Sequence, residues 1–312
     1  MKLIVSIPSY NEEKTVGDVV KKIPRRIEGI EQVQVIVADG ASTDRTVQIA
    51  KEAGADKIIS CKTREGLALG FKRGLDTALE LGADIIVNID ADNQYDPTEI
   101  PALIKPIIEG EADVVLGSRF KAYMEDMPLQ RRIGNKVATY VTRRLSGVQI
   151  SDAQTGFRAF TREAAMKLNI LSKYTYTQET IIQAAYKKLK LVEIPINFRR
   201  RKEGKSRLIL SLFDYARKAG LTALLTYLNY KPLKTFVYMG LFLMVLGILV
   251  GLRVTVHYLL TGSVTPYLPS AILTAILLIV GFQVSILGLH AEMIRSNREL
   301  LEDILYKLRE KA

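Results

Sequence analysis

Residues 85–94 read IIVNIDADNQ, and this stretch decides the fold. A mostly apolar run, 85–89, is followed at once by Asp90, Asp92 and Gln94. Such a run is typical of a strand buried on both faces in a parallel sheet. Two carboxylates two residues apart at a strand end can both reach one hard cation, and Mg²⁺ or Mn²⁺ prefers such oxygen ligands. The stretch therefore predicts a metal-dependent site at the end of a buried strand.

The same alternation of short apolar runs and helical patterns extends on both sides of this stretch. It predicts strands at 3–7, 33–38, 57–59, 85–89 and 114–116, and helices at 15–23, 43–53, 67–81 and 97–109. Strands separated by helices imply right-handed crossovers and a mainly parallel α/β sheet. Ligands of such sheets bind beyond the carboxyl ends of the strands. Polar residues follow three of these strands, at 9–12, at Asp39 and at Asp90 with Asp92.

Two runs near the end of the chain, 235–252 and 270–289, carry no charge. As helices they would be about 27 and 30 Å long, which matches a hydrocarbon core of about 30 Å. They predict an integral membrane protein with a helical hairpin, and Pro266 and Pro269 should break any helix in the linker 253–269. Lysines precede the pair and arginines follow it, so the positive-inside rule predicts a cytoplasmic catalytic domain at the cell membrane.

The net charge of +11 is concentrated in residues 196–234, where ten basic residues face two acidic ones. This concentration favours an anionic partner: nucleic acid, lipid headgroups or a phosphate substrate. The adjacent apolar runs favour membrane lipids over nucleic acid. Residues 207–229 form an amphipathic pattern typical of an interfacial helix, and a helix packed on the soluble domain is the alternative. Residues 291–311 predict a charged helix whose apolar positions could form a homo-oligomer seam.

The composition excludes several kinds of chemistry. One cysteine excludes a disulfide framework and a thiolate metal cluster, and two histidines within the apolar C-terminal part disfavour a zinc hydrolase or a serine–histidine triad. Carboxylates, a hard cation, lysine or arginine must therefore carry any reaction.

A series of motifs resembles the inverting family-2 glycosyltransferases with the GT-A fold, a Rossmann-like, mainly parallel sheet. Within them the series is most similar to the dolichol-phosphate mannose synthases and related polyprenyl-phosphate glycosyltransferases. The resemblance spans residues 3–210, about two-thirds of the chain. The motifs are IPSYNEE (7–13), VADGASTDRT (37–46), NIDADNQYDP (88–97), LGSRF (116–120), LQRRIGN (129–135), SDAQTGFRAF (151–160), TQET (177–180) and RKEGKSRL (201–208).

The resemblance implies a role for each matching residue. Pro8, Tyr10 and Glu12 would line the nucleotide pocket, with Asp39 near the base. Asp90, Ala91 and Asp92 would meet the nucleotide-sugar, and Asp92 with Gln94 would bind Mg²⁺ or Mn²⁺. Arg119 and Arg131 would contact phosphates. Asp152 and Glu179 would join Asp90 and Asp92 as catalytic carboxylates. The lipid phosphate would be bound by Arg201, Lys205, Ser206 and Arg207.

The resemblance, together with the two apolar runs, implies transfer of a hexose, with inversion, from GDP-mannose or a UDP-sugar to dolichyl or polyprenyl phosphate. The predicted parts are a catalytic domain (1–206), an interfacial helix (207–230), a hairpin (231–290) and a cytoplasmic helix (291–312). A different glycan or lipid acceptor is the alternative. A processive polysaccharide synthase is disfavoured because the chain lacks the tryptophan of the usual acceptor motif. A membrane scaffold that only binds nucleotide is a further alternative from another class.

Overall fold

Strands and helices alternate as the sequence predicts. The computed structural model describes residues 1–64, 66–120, 129–172, 175–199 and 212–311. The strands are β1 (Lys2–Ser9), β2 (Gln32–Asp39), β3 (Lys57–Ser60), β4 (Ile85–Asn88), β5 (Val114–Ser118), β6 (Arg158–Thr161) and β7 (Leu191–Pro195). The helices are α1 (Val16–Lys22), α2 (Thr46–Glu52), α3 (Leu67–Glu80), α4 (Ile100–Ile108), α5 (Leu129–Ser146), α6 (Arg162–Lys167), α7 (Thr177–Tyr186), α8 (Leu212–Tyr230), α9 (Pro232–Thr261) and α10 (Leu268–Lys311).

The seven strands form one sheet in the order β3-β2-β1-β4-β6-β5-β7. All neighbours pair in parallel except β6, which runs antiparallel between β4 and β5. Register places Ser9 opposite Asp39 and Ser6 opposite Asn88. The parallel strands therefore end at a common edge. Because β6 runs the other way, the loop that precedes it arrives at this same edge.

Each face of the sheet carries its own apolar core. Alternate residues of β1 supply Leu3 and Val5 to one core and Ile4 to the other, as the period of two in a strand requires. Helices α1 and α4 pack on the first face, and α3, α6 and α7 on the second. Burial of both faces explains why the central strands are almost continuously apolar.

Contacts divide the chain into two compact units. One comprises Met1–Thr226 with Leu305–Ala312, and the other Tyr227–Ile304. The predicted boundaries at 206, 230 and 290 stay predictions. Two helices, α9 and α10, are long and apolar enough to cross a membrane, and they contain the two uncharged runs.

The linker between these helices spans residues 262–267 and is shorter than the predicted 253–269. The prediction that Pro269 breaks a helix is wrong, because Pro269 is the second residue of α10, a position where no intrahelical N–H donor is needed. Helix α9 continues to Thr261, and Gly262, with a φ of +70°, ends it by donating its N–H to the carbonyl of Tyr258. Arg253 lies within α9, and its guanidinium lies 4.7 Å from the ring centre of Tyr267. Helix α10 then runs unbroken from Leu268 to Lys311, so the second apolar run and the charged C-terminal segment are one element.

Candidate active site at the carboxyl edge of the sheet

Four strands deliver polar residues to the carboxyl edge. Tyr10 and Glu12 follow β1, Asp39 ends β2, Asp90 and Asp92 follow β4, and Arg119 follows β5. The antiparallel β6 brings residues 151–157 to the same place. The structure thus assembles at one edge residues that are more than a hundred positions apart in the chain.

The Asp90–Gln94 segment is a tight turn directly after β4. Asn93 has a φ of +58°, a left-handed conformation that asparagine tolerates better than most residues. A carboxylate oxygen of Asp92 accepts a hydrogen bond from the backbone N–H of Gln94 at 3.2 Å. The Gln94 backbone carbonyl accepts from the N–H of Arg199, and its side-chain amide donates to the carbonyl of Arg199 at 3.3 Å. The turn is therefore stabilised by a hydrogen bond within it and by two hydrogen bonds to the backbone of Arg199.

Asp90 lies in an electrostatically unfavourable position for a free carboxylate. Burial, and in addition repulsion from Asp92, raises the pKa of Asp90 to about 7. The residue as a whole is half-buried. A cation that arrived there would offset the repulsion and favour the ionised form.

Gly156 allows this position of Asp90. A Cβ atom on Gly156 would lie 2.3 Å from a carboxylate oxygen of Asp90, so no larger residue fits there without displacing the carboxylate. Asn88 fixes the approach by donating to the Gly156 carbonyl and to the Tyr176 hydroxyl, both at 2.8 Å. The Gly156 N–H donates to the Tyr95 hydroxyl at 3.0 Å. Hydrogen bonds to both the carbonyl and the N–H of Gly156 thus hold its backbone against the Asp90 carboxylate.

Arg158, which is fully buried, stabilises the loop before β6, which contains Gly156. Its guanidinium donates to the carbonyls of Thr155 at 2.8 Å, Thr177 at 2.7 Å and Ala153 at 3.1 Å. These bonds tie the loop before β6 to the first turn of α7. A buried charge needs such donors and acceptors around it to offset the loss of hydration.

Arg119 and Asp152 form a buried bidentate pair. The Nε and Nη2 atoms of Arg119 lie 2.6 and 2.8 Å from the two carboxylate oxygens of Asp152, and the Arg119 backbone N–H donates at 3.2 Å. Although burial alone would raise it, the Arg119 charge holds the pKa of Asp152 below its usual value. Asp152, which the resemblance treats as a catalytic carboxylate, is thus engaged in holding Arg119.

Glu179 is likewise engaged by protein groups. It is buried on α7, and its two oxygens accept from the backbone N–H groups of Leu171 at 2.9 Å and Ser172 at 3.1 Å. This geometry fixes the loop that precedes α7. A catalytic role for Glu179 stays a prediction.

The predicted nucleotide-binding residues lie along β1 and β2. Asp39 is buried and accepts from the N–H of Ser42, which closes the turn after β2. The Glu12 N–H donates to the Thr46 hydroxyl at 2.7 Å. The Arg64 guanidinium lies 4.8 Å from the centre of the Tyr10 ring. Pro8 is buried in β1, with Cβ 3.6 Å from the position that a Cβ of Gly70 would take.

Several of the predicted site residues fall outside the described part of the chain. They are Arg201, Lys205, Ser206 and Arg207, together with the side chain of Arg131. Conversely, sequence reasoning assigned no role to Asn88, Tyr95, Gly156, Arg158 and Tyr176. Four of these, all except Tyr176, stand inside the quoted motifs NIDADNQYDP and SDAQTGFRAF, so the motifs themselves were the available signal.

A divalent cation fits the chemistry of this edge but would need ligands from outside the protein. In the described ranges, no three side chains of His, Cys, Asp or Glu come together as a metal cluster. Mg²⁺ typically takes one or two carboxylates and completes its shell with water and substrate phosphates. Asp92 with Gln94 and a diphosphate could supply such a set.

The chain belongs to Glycosyl transferase family 2. It matches that family over residues 4–168, more than half of its length and the part that contains the carboxyl edge. The predicted resemblance is thereby confirmed.

The names of two relatives indicate that those proteins use a lipid phosphate as acceptor. One is the UDP-N-acetylglucosamine–dolichyl-phosphate N-acetylglucosaminyltransferase of Methanococcus voltae, 35% identical over 61% of this chain and 82% of that protein. Another is the dolichol-phosphate mannosyltransferase of Pyrococcus furiosus, 32% identical over 70% of this chain and 62% of that protein.

The solved structures support the fold. Glucosyl-3-phosphoglycerate synthase from Mycobacterium tuberculosis, solved with Mn²⁺, UDP and glucosyl-3-phosphoglycerate, aligns with a TM-score of 0.59. It is 22% identical and covers 72% of this chain and 79% of its own. The predicted GT-A fold is confirmed.

Proposed function

We propose that this glycosyltransferase moves a hexose from a nucleotide-sugar to dolichyl or polyprenyl phosphate, with inversion at the anomeric carbon. The observation that carries the proposal is the placement of Asp90 and Asp92 beside the buried Arg119–Asp152 pair at one sheet edge. The names of the relatives supply the acceptor class. The two apolar C-terminal helices are the expected anchor for an enzyme whose acceptor is a membrane lipid.

In the proposed reaction, an oxygen of the acceptor phosphate forms a bond to the anomeric carbon. The bond from that carbon to the nucleoside diphosphate breaks, and the diphosphate leaves with the electron pair. The acceptor is already an oxyanion at neutral pH, so the protein need not remove a proton. Positioning and electrostatic stabilisation then account for most of the catalysis.

Each group of the carboxyl edge has a place in this scheme. Tyr10, Glu12 and Asp39 bind the nucleotide, while Asp90 and Ala91 face the ribose and sugar. Asp92 and Gln94 hold a divalent cation, Mg²⁺ or Mn²⁺, which neutralises charge on the diphosphate when bound. Arg119 contacts the phosphates. The carboxylate of Asp152 holds the guanidinium of Arg119 in the orientation that this contact needs. The acceptor phosphate is received by Arg201, Lys205, Ser206 and Arg207.

The direct test is transfer to a defined lipid. Purified protein is incubated with polyprenyl phosphate, Mn²⁺ and a panel of labelled GDP- and UDP-sugars, and the lipid product is extracted. Asp92→Asn should lower turnover at least about a hundredfold, because stabilisation of the leaving group is lost. The exposed Asp18→Asn on α1 is the matched control and should retain activity. Transfer to a sugar or glycan but to no lipid phosphate would instead support the alternative acceptor.

The proposed topology has its own test. In a Cys61→Ser background, the Ser263→Cys variant places a thiol between α9 and α10, and Gln48→Cys places one on the exposed face of α2. In intact cells an impermeant maleimide should label the first and not the second, as a cytoplasmic catalytic domain requires. Labelling of Gln48→Cys alone would reverse the orientation.

A further inference from the structure

Arg253 is a positive charge in a part of the chain that contains no acidic residue. It comes directly after the uncharged run 235–252 of α9, and no Asp or Glu occurs between Asp214 and Glu292. At 1.5 Å per residue, Arg253 lies about 28 Å along the helix from Lys234, which precedes the run. That distance is close to the thickness of a hydrocarbon core, about 30 Å. In the proposed topology, Arg253 therefore lies at the membrane surface away from the catalytic domain.

Two neighbouring side chains orient the guanidinium of Arg253. It lies 4.7 Å from the centre of the Tyr267 ring, and its Nη2 donates to the Tyr267 hydroxyl at 3.4 Å. The ring of His257 meets the same tyrosine edge-on, with 4.8 Å between ring centres, and its Nε2 donates to the carbonyl of Thr265 at 3.0 Å. A guanidinium has five N–H donors, and an aromatic ring that lies against its face leaves those at its edges available to an anion. Arg253 is also exposed, so an anion can approach these donors.

The surface of α9 is apolar on both sides of Arg253. Leu249 and Leu252 before it are exposed, and so are Val256 and Leu259 after it. An exposed guanidinium within an apolar surface matches the boundary between hydrocarbon and headgroups, where a long side chain places its charge in the polar layer. Such a surface favours an anion carried by a lipid over one dissolved in water. The acyl chains cover the apolar side chains while the headgroup meets the arginine.

Anchoring of the helix does not by itself require an arginine at this end. The positive-inside rule places lysine and arginine on the cytoplasmic side of a membrane, and the loop 262–267 carries no charge. Tyr258 and Tyr267 already supply aromatic side chains of the kind that anchor a helix at an interface. The guanidinium adds a planar fork that matches two oxygens of a phosphate group.

We infer that Arg253 and Tyr267, supported by His257, bind the phosphate group of a membrane lipid in the leaflet away from the catalytic domain. The guanidinium donates to two phosphate oxygens. The Tyr267 hydroxyl, which accepts from Arg253, donates its own proton to the phosphate, and His257 holds the tyrosine ring in place. We call these three residues the distal phosphate site. The inference rests on the proposed topology and not on the transfer reaction.

Binding of lipids to the detergent-solubilised full-length protein, followed by native mass spectrometry, tests the inference. The protein is titrated with phosphatidylglycerol and with a galactosyl diacylglycerol, which has no phosphate. Arg253→Gln should weaken one phosphatidylglycerol site at least about tenfold, because a charge-assisted contact is lost, and should leave galactolipid binding unchanged. Lys234→Gln is the matched control. It removes one charge from the opposite end of α9, where the Lys234 Nζ lies 5.7 Å from the centre of the Tyr238 ring.

Thermal unfolding provides a second measurement and shows whether the variants are folded. Phosphatidylglycerol should raise the unfolding midpoint of the wild-type protein, because a ligand that binds only the folded state stabilises it. The increase should be smallest in Arg253→Gln and intermediate in Arg253→Lys, which keeps the charge but not the planar fork. Tyr267→Phe keeps the ring and loses the hydroxyl, so it should weaken binding less than Arg253→Gln does.

The outcomes also distinguish the possible sources of the phosphate. Weaker phosphatidylglycerol binding in Arg253→Gln but not in Lys234→Gln supports the distal phosphate site. Loss of a second bound molecule of polyprenyl phosphate in Arg253→Gln also supports it, with that lipid as the occupant. Equal affinity in the three proteins, or equal weakening in the two variants, overturns the inference. Displacement of the lipid by inorganic phosphate overturns it as well, because the ligand would then be a dissolved anion.

Failure of the inference and failure of the proposed function give different results. If the wild-type protein binds phosphatidylglycerol through Arg253 but transfers no sugar to a lipid phosphate, the proposed function alone is wrong. If transfer occurs but Arg253→Gln binds phosphatidylglycerol as the wild type does, the distal phosphate site alone is wrong. In the topology test, labelling of Gln48→Cys and not of Ser263→Cys would overturn the leaflet stated here.

Discussion

At the scale of single residues, the carboxyl edge depends on contacts that leave little room for substitution. The Arg119–Asp152 pair is buried and bidentate, and the Asp90 carboxylate lies against the backbone of Gly156. Removal of one member of a buried ion pair leaves a charge without a partner, which costs more than the pair itself contributes. Both contacts therefore predict large effects from small chemical changes.

Gly156→Ala should abolish most of the activity. The added Cβ would lie 2.3 Å from a carboxylate oxygen of Asp90, so that carboxylate must move away from the position proposed to face the sugar. We expect kcat to fall by at least about a hundredfold, as for other displacements of reacting groups, with the thermal unfolding midpoint lowered by only a few degrees. The matched control is Gly220→Ala on α8, where an added Cβ meets no atom within 4 Å. Comparable kcat values for the two variants would argue against a role for the Asp90–Gly156 contact.

Asp152→Asn should destabilise the protein by about 3–5 kcal/mol, because Arg119 stays buried without its carboxylate. The pKa of Asp152 is lower in the folded than in the unfolded protein, so its stabilisation is present above the unfolded pKa. It is lost as the pH falls through the lower, folded pKa. The difference between wild type and variant in thermal unfolding should therefore be large at pH 7 and shrink at strongly acidic pH.

A double variant separates stability from function at this pair. Arg119→Leu/Asp152→Leu removes both charges and should recover part of the stability lost in Asp152→Asn. Because Arg119 is proposed to contact the donor phosphates, nucleotide-sugar binding should not recover. Recovery of binding along with stability would show that Arg119 has no part in the donor site.

At the scale of elements, glycines allow close packing of α9 against α10. A Cβ on Gly281 would lie 2.7 Å from the carbonyl oxygen of Gly240, and one on Gly240 would lie 2.4 Å from the carbonyl oxygen of Gly281. The two backbones are thus almost in contact at this crossing. Small residues at such a crossing are typical of helices that associate inside a membrane, where van der Waals packing holds them together.

Gly281→Leu should separate the two helices. Rotation of side chains alone cannot accommodate the leucine, because backbone atoms of Gly240 and Met244 lie 2.7 and 3.0 Å from the added Cβ, so we expect a loss of about 1–3 kcal/mol. Thermal unfolding in detergent measures it. Ile279→Leu, an apolar exchange at an exposed position of α10, is the control and should be nearly neutral. Equal stability of the two variants would contradict the close crossing.

At the scale of the whole molecule, the last turns of α10 belong to the same compact unit as the catalytic sheet. Arg309 donates to the carbonyls of Met166 at 2.8 Å and Leu168 at 3.1 Å, and its Nη2 lies 3.0 Å from a carboxylate oxygen of Asp76. Tyr306 packs against the apolar core beneath α3 and α7. By contrast, the predicted oligomer seam remains exposed at Ile294, Leu301, Ile304, Leu305 and Leu308, and the homo-oligomer stays a prediction.

Arg309→Met should release this end of the chain. It removes hydrogen bonds to two carbonyls and a charged contact, worth about 1–3 kcal/mol. Limited proteolysis should then cut the C-terminal segment faster than in wild type. Lys307→Met, at an exposed position two residues away, is the control. An unchanged cleavage rate in Arg309→Met would show that the contacts of Arg309 do not protect the C-terminal segment from proteolysis.

The sequence by itself determined the alternating strands and helices, the sheet edge at which the polar residues gather, and the two apolar helices. These features depend on local periodicity, on uncharged length and on the polar residues that directly follow an apolar strand. It could not establish that β6 would enter the sheet antiparallel, nor that α9 would continue past its uncharged run as far as Thr261. Pairing direction depends on neighbours far away in the chain, and the end of α9 is set by the left-handed Gly262 and not by the end of the uncharged run.

Only the tertiary structure decided how the site is arranged. Arg119 and Asp152 are 33 positions apart and meet because β5 and the loop before β6 end at the same edge. Asp90 and Gly156 meet for the same topological reason, through the pairing of β4 with β6. The sequence could not show either that α5 buries Thr139 and Thr142, because which side of a helix is buried depends on what packs against it. Local sequence patterns indicate which residues are candidates for the site. The contacts between those residues depend on strand pairing and burial, which involve residues far apart in the chain.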